Sequence, residues 1–170
     1  MGYNWRDTLG DYAQVSGVLA GFCFALIVFV LGWKLDDTPL YKTITYGKLS
    51  IILIGISFGL ELAATQLFLD AKNHNIWNVP AEYKGYLMTR NKIDEKGWSD
   101  GRNLIDEYCK KSETLGRNCY NAAILLLLVG LAFVVAPYSP KVSLIILIVG
   151  GTLEGFQFFY ARRLEQQLFH

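Results

Sequence analysis

Residues 124–136 read ILLLLVGLAFVVA and residues 24–32 read FALIVFVLG, and neither stretch offers a charge to any face of a helix. A helix in a soluble bundle keeps one polar face for water, with apolar residues recurring at helical spacing on the other. Here there is no polar face to keep. Working outward, the apolar runs extend over 15–33 and 120–138, and the same reading finds two more at 49–69 and 142–160. Each is about 20 residues long, enough for a helix to cross about 30 Å of hydrocarbon. Of 16 Lys+Arg and 15 Asp+Glu in the 170 residues, only Glu61 and Glu154 fall inside the runs. Tyr12, Trp33, Tyr46, Tyr120, Tyr138 and Tyr160 mark their edges, where amphipathic rings settle at a membrane interface.

Composition agrees. The chain is 52% hydrophobic and 18% charged, with mean hydropathy +0.27, against about 25% charged for an ordinary soluble domain. Net charge is +1, which gives no basic footprint for nucleic acid. The expected fold is an all-α integral membrane protein, one membrane domain over 1–170 with four transmembrane helices and a partly helical connector at 71–119. The first run is too long for a signal-peptide core, follows Asp7 and Asp11, and is not followed by an A-x-A cleavage site, so it is expected to stay as a permanent helix. Neither end carries a lipidation pattern.

Four spans place both termini and the 71–119 connector on one side, and the 34–48 and 139–141 connectors on the other. The first side holds twelve Lys and Arg, including Arg162 and Arg163 directly after the fourth run; the second holds Lys34, Lys42, Lys48 and Lys141. The positive-inside rule makes the first side cytoplasmic.

The second and fourth runs align without a gap: KLSIILIGISFGLE at 48–61 over KVSLIILIVGGTLE at 141–154. Lys48 and Lys141, Ser50 and Ser143, and Glu61 and Glu154 coincide, which points to a duplicated helical hairpin, helices 1+2 repeated as 3+4. Both copies would insert the same way, related by an axis along the membrane normal. Three G-x-x-x-G pairs, Gly17/Gly21, Gly55/Gly59 and Gly151/Gly155, are expected to be helix contacts within one copy or between copies, because close backbone approach drives association in lipid.

Glu61 and Glu154 each lie 13 residues beyond a boundary lysine, about 20 Å along a helix. An ionised carboxylate near the middle of a spanning helix costs about 2.5–3.5 kcal/mol even on insertion-based scales. With no Lys or Arg in any run, each must be protonated, hydrated or hydrogen-bonded. Ser57 and Thr65 lie one turn either side of Glu61, and Gln157 one turn after Glu154, on the same helices. Three roles are open: interhelical glue, a proton or cation relay or polar ligand site, and a contact to another subunit.

In the connector, Leu104, Ile105, Tyr108, Ser112, Leu115 and Cys119 follow one stripe into the third run. This predicts a helix that projects beyond the membrane, capped by Ser99 or Asp100. Residues 73–97 read as irregular. Cys109 and Cys119 could instead close a disulfide loop, but ten residues of helix separate them by about 15 Å of rise, beyond the ~7 Å limit for bridged α-carbons. The two arrangements exclude each other. Cys23 reads as a packing residue. His74 and His170 are the only histidines, and no H-E-x-x-H, G-x-S-x-G, Walker or G-x-G-x-x-G pattern occurs. His74 beside Asp70 is a weak metal candidate. No catalytic residue, metal or cofactor is expected.

Two functions fit: a non-catalytic subunit that packs in the bilayer against other membrane subunits or copies of itself, and a small oligomeric proton or cation channel or carrier that uses Glu61 and Glu154.

Overall fold

The structure is a computed structural model that describes residues 5–32, 39–41, 44–74 and 81–168, with side chains described over 8–31, 45–74, 84–156 and at 159. Five helices form: α1 (Trp5–Gly32), α2 (Tyr46–His74), α3 (Ala81–Asn91), α4 (Glu95–Val135) and α5 (Pro140–Leu168). Two short antiparallel strands, β1 (Pro39–Tyr41) and β2 (Ile44–Thr45), lie between α1 and α2. Thr8–Leu31 in α1, all of α2, and α4 are long and apolar enough to cross a membrane. The fourth apolar run falls within α5, where part of its length lies outside the residues with described side chains.

The helices pack in a row. α2 lies against both α1 and α4, α5 packs on α4, and α1 touches α4 only slightly. The buried residues of α2 explain its central place: Gly47, Ser50, Ile54, Ser57, Glu61, Ala64, Phe68 and Ala71 alternate steps of three and four. That 3.5-residue period keeps one seam facing its neighbours over the full length of the helix. α1 answers with Leu9, Ala13, Ser16, Ala20, Cys23 and Val30, and α4 with Cys109, Ser112, Gly116, Ala123 and Gly130. Most of these side chains are small, so the backbones come close enough for dispersion contacts to hold them in lipid.

Where α2 presents a large side chain, α4 presents almost none. An added Cβ at Gly130 would stand 2.7 Å from Ile54 Cγ1, and one at Gly116 would stand 3.0 Å from the Phe68 ring. α5 docks by the same device, since a Cβ at Gly150 would lie 2.7 Å from Leu128. Ser143 Oγ also donates to Ala132 O at 2.8 Å.

The G-x-x-x-G pairs are not the contacts that hold this chain together. Among the described residues nothing lies within 4 Å of a Cβ added at Gly21, Gly55, Gly59, Gly151 or Gly155, and at Gly17 only Thr65 Oγ1 does, at 3.9 Å. A glycine becomes a contact only where a large residue on the next helix needs its space.

The connector is more ordered than its composition implies. Residues 81–91, expected to be irregular, form α3, and its turn into α4 is a Schellman-type cap. Ile93 N–H donates to Met88 O at 2.9 Å, and Lys92 adopts φ 53°. The expected long helix is present, but its cap lies about one and a half turns before Ser99 or Asp100. Asp94 is the cap, accepting from Gly97 N–H at 2.7 Å. Lys84 bridges back to Glu95 at 2.9 Å. Cys109 and Cys119 are free thiols on this continuous helix, as the helical alternative requires.

Candidate intramembrane polar site

Two apolar clusters occupy the seam. One joins Cys23, Ile54 and Leu127; the other joins Leu9, Ala13, Ala64, Phe68, Ala71 and Cys109. Between them lies a polar layer of Ser16, Ser57 and Glu61, each fully buried. Glu61 holds the seam position that Ile54 and Phe68 hold one heptad either side. An acid therefore stands where the pattern calls for an apolar knob.

Its hydrogen bonds differ from those the sequence indicates. Ser57 does not serve the carboxyl: its Oγ donates to Ala123 O at 2.7 Å and lies 3.6 Å from Cys23 Sγ. Thr65 Oγ1 donates to the main-chain carbonyl of Glu61 at 2.9 Å. The carboxyl partner is Ser16 of α1, which makes a short contact with Glu61 Oε2 and lies 3.1 Å from Glu61 O. The signal for Ser16 is its seven-residue spacing from Leu9 and Cys23, which puts the hydroxyl on the α1 seam. Glu61 Oε1 is buried with no hydrogen-bond partner among the described residues.

Ser16 has one hydrogen for two neighbouring oxygens. A neutral Glu61 resolves this: the acid O–H donates to Ser16 Oγ, and Ser16 donates to the main-chain carbonyl. An ionised Glu61 takes the Ser16 hydrogen, with no cation paired to it among the described residues.

Glu154 lies on α5, partly exposed, and has no hydrogen-bond partner among the described residues; the side chain of Gln157 falls outside them. Helix register fixes its level. Ile54 meets Gly130 and Phe68 meets Gly116, which places Glu61 opposite Ala123. Gly150 meets Leu128 and Ser143 meets Ala132, which brings Glu154 to the same level of α4 on its other flank.

At the other end of the seam, Tyr108 donates to Asp70 Oδ2 at 3.0 Å, and the His74 ring packs edge-on to Tyr108 with Nδ1 2.9 Å from Asp70 O. That geometry occupies His74 locally, and no group of three or more metal-ligating side chains occurs among the described residues. Compared with known proteins, the chain matches no family model, no curated protein and no solved structure.

Proposed function

We propose that the chain is a non-catalytic integral membrane subunit that packs in the bilayer with other membrane subunits or with copies of itself. The observation that carries this reading is the division of its glycines. Gly116, Gly130 and Gly150 are used inside the chain, while Gly21, Gly55, Gly59, Gly151 and Gly155 form open small-residue faces on α1, α2 and α5. Around them stand exposed Val18, Phe22, Ile52, Ile56, Leu153 and Phe156, a surface suited to lipid or to another helix.

In this reading α5 is the fourth span, and the termini and the 71–119 connector face the cytoplasm. α1–α2 and α4–α5 are then two copies of one hairpin. Matching levels of Glu61 and Glu154, and burial of both Ser50 and Ser143, support the duplication. Extraction in a mild detergent followed by mass measurement of the intact complex tests the assembly. The expected result is a defined complex of two or more chains that dissociates when Gly55 and Gly59 are both replaced by Leu. A monomer under every mild condition, with no partner retained, removes the proposal.

A further inference from the structure

We propose that α1 of a second copy of this chain packs along α5, so that Leu147 covers Gly21 of the neighbouring copy, Gly151 receives its Val18, and Glu154 hydrogen-bonds its Gln14. Resting on the reading of the chain as a membrane subunit that packs with copies of itself, this contact names which two faces meet. The two carboxyls are enclosed unequally. Glu61 is covered by Ser16 of α1 and by α4 at Ala123, and is fully buried. Glu154, its counterpart on α5, has α4 alone and is left partly exposed. The second hairpin lacks a third helix.

The repeat identifies the helix that fits. LAGFCF at 19–24 in α1 lies over LVGLAF at 128–133 in α4, as 48–61 in α2 lies over 141–154 in α5. The packing of α2 on α4 inside the chain therefore has its counterpart in α5 packing on the α1 of another copy. In that correspondence Ile54 becomes Leu147 and Gly130 becomes Gly21. Ile54 fills the space over Gly130, whereas Leu147 is exposed and a Cβ added at Gly21 meets nothing within 4 Å among the described residues.

The two faces agree residue by residue. Gln14, Val18, Gly21 and Ala25 are exposed on α1 at steps of four, three and four, away from Ser16, Ala20 and Cys23. Leu147, Gly151 and Glu154 follow steps of four and three along one flank of α5. α1 and α5 stand at opposite ends of the row and run in opposite directions. Ser16 meets Glu61, and Glu61 and Glu154 share a level, so copies side by side in one bilayer bring Glu154 level with Ser16. Pairing Leu147 with Gly21, Gly151 with Val18 and Glu154 with Gln14 departs from that level by only about 3 Å of helix rise. Each large side chain then meets a glycine, and the two polar groups meet each other. Neither Gln14 nor Glu154 makes a hydrogen bond among the described residues. A neutral carboxyl donates to the amide oxygen and accepts from the amide nitrogen, which satisfies both groups in lipid. Because the two faces differ, copies join head to tail.

The test is disulfide cross-linking of the full chain in its membrane, in a background lacking the native three cysteines, with a membrane-permeant oxidant. I54C/G130C, the contact inside one chain, is the internal standard. Chains carrying G21C and chains carrying L147C, given different tags and co-expressed, should form a mixed dimer, and neither should cross-link to its own kind. One chain carrying both substitutions should give a ladder of higher multiples. V18C with G151C is the second pair, which keeps the test open if G21C alters the fold. Q14L should lower the mixed yield roughly threefold, the size of an average hydrogen bond between membrane helices, whereas E154Q keeps hydrogen-bonding capacity and should leave it unchanged. A complex of two or more chains by mass, in which neither mixed pair cross-links while the internal standard does, overturns this contact and leaves the reading it rests on intact. Dimers of G21C with G21C or of L147C with L147C also overturn it, because they require like faces to meet. A monomer under every mild condition removes both.

Discussion

Replacing Gly130 with Ala adds one methyl group at the tightest contact between α2 and α4. The new Cβ stands 2.7 Å from Ile54 Cγ1 and 3.5 Å from the Ile54 main-chain nitrogen, against about 3.5–4.0 Å for an unstrained carbon pair. Ile54 cannot swing aside, because it is fully buried and a β-branched side chain in a helix has one favoured rotamer. Overpacking of this kind costs about 1–3 kcal/mol. The better helix propensity of Ala returns about 1 kcal/mol, leaving a net loss of up to about 2 kcal/mol. Ile54→Ala removes the clashing atom, so in that background the added methyl fills space and the loss vanishes. The resulting coupling is about 1–3 kcal/mol, measurable as a double-mutant cycle by reversible unfolding in mixed micelles. Gly59→Ala, which meets nothing within 4 Å, is the control and stays neutral or slightly stabilising. Equal stabilities for G130A and G59A, or a G130A/I54A cycle that is additive within about 0.5 kcal/mol, would refute the argument that α4 glycines make room for α2 side chains.

Three further outcomes follow from the connector. Lys92 carries a left-handed backbone at φ 53°, so K92G should stabilise the α3–α4 turn by about 1 kcal/mol, read as slower proteolysis between the two helices. Burial, with a smaller contribution from Asp106, pushes the Cys109 thiol up. Because the thiolate is the nucleophile, Cys109 should alkylate more slowly at neutral pH than a cysteine placed at exposed Lys110, with the difference narrowing as pH rises. Glu107 is held below the usual glutamate range by its hydrogen bond and charge pairing with Lys111. The stability this gives is present above the unfolded glutamate value and is lost as pH falls through the lower folded value. Helicity of the connector should therefore drop on acidification below about pH 4, and E107Q should remove that part of the dependence.

The apolar runs were legible because hydrocarbon tolerates only helices whose side chains suit lipid on every exposed face. The long α4 was legible for a different reason: its stripe from Leu104 to Cys119 keeps helical spacing through the membrane boundary. The cap was misplaced because Ser99, Asp100 and Asp94 are all competent N-caps, and only the fold of the preceding turn chooses Asp94. α3 was missed because AEYKGYLMTRN has no apolar stripe, and its salt bridge to Glu95 comes from outside the segment. The glycine pairs misled because a glycine itself does not say whether a large side chain faces it. The seven-residue spacing of Ser50, Ser57, Ala64 and Ala71 on α2, matched by Cys109, Gly116, Ala123 and Gly130 on α4, carries that information. Ser16 was invisible as the Glu61 partner because it lies 45 residues away on another helix, while Ser57 and Thr65 on the same helix turn to main-chain carbonyls.

The central claim, a chain that crosses the bilayer with α1, α2, α4 and α5, is tested most directly by cysteine accessibility. Single cysteines at Thr38, Asn91 and Gln166, in a background lacking the native three, are exposed in intact cells to a membrane-impermeant thiol reagent. The account predicts labelling at Thr38, and protection of Asn91 and Gln166 until the membrane is permeabilised. Labelling of Gln166 together with Thr38 would show that α5 does not cross. Equal labelling of Thr38 and Asn91 in intact cells would contradict the account outright, because α2 would then not span the membrane.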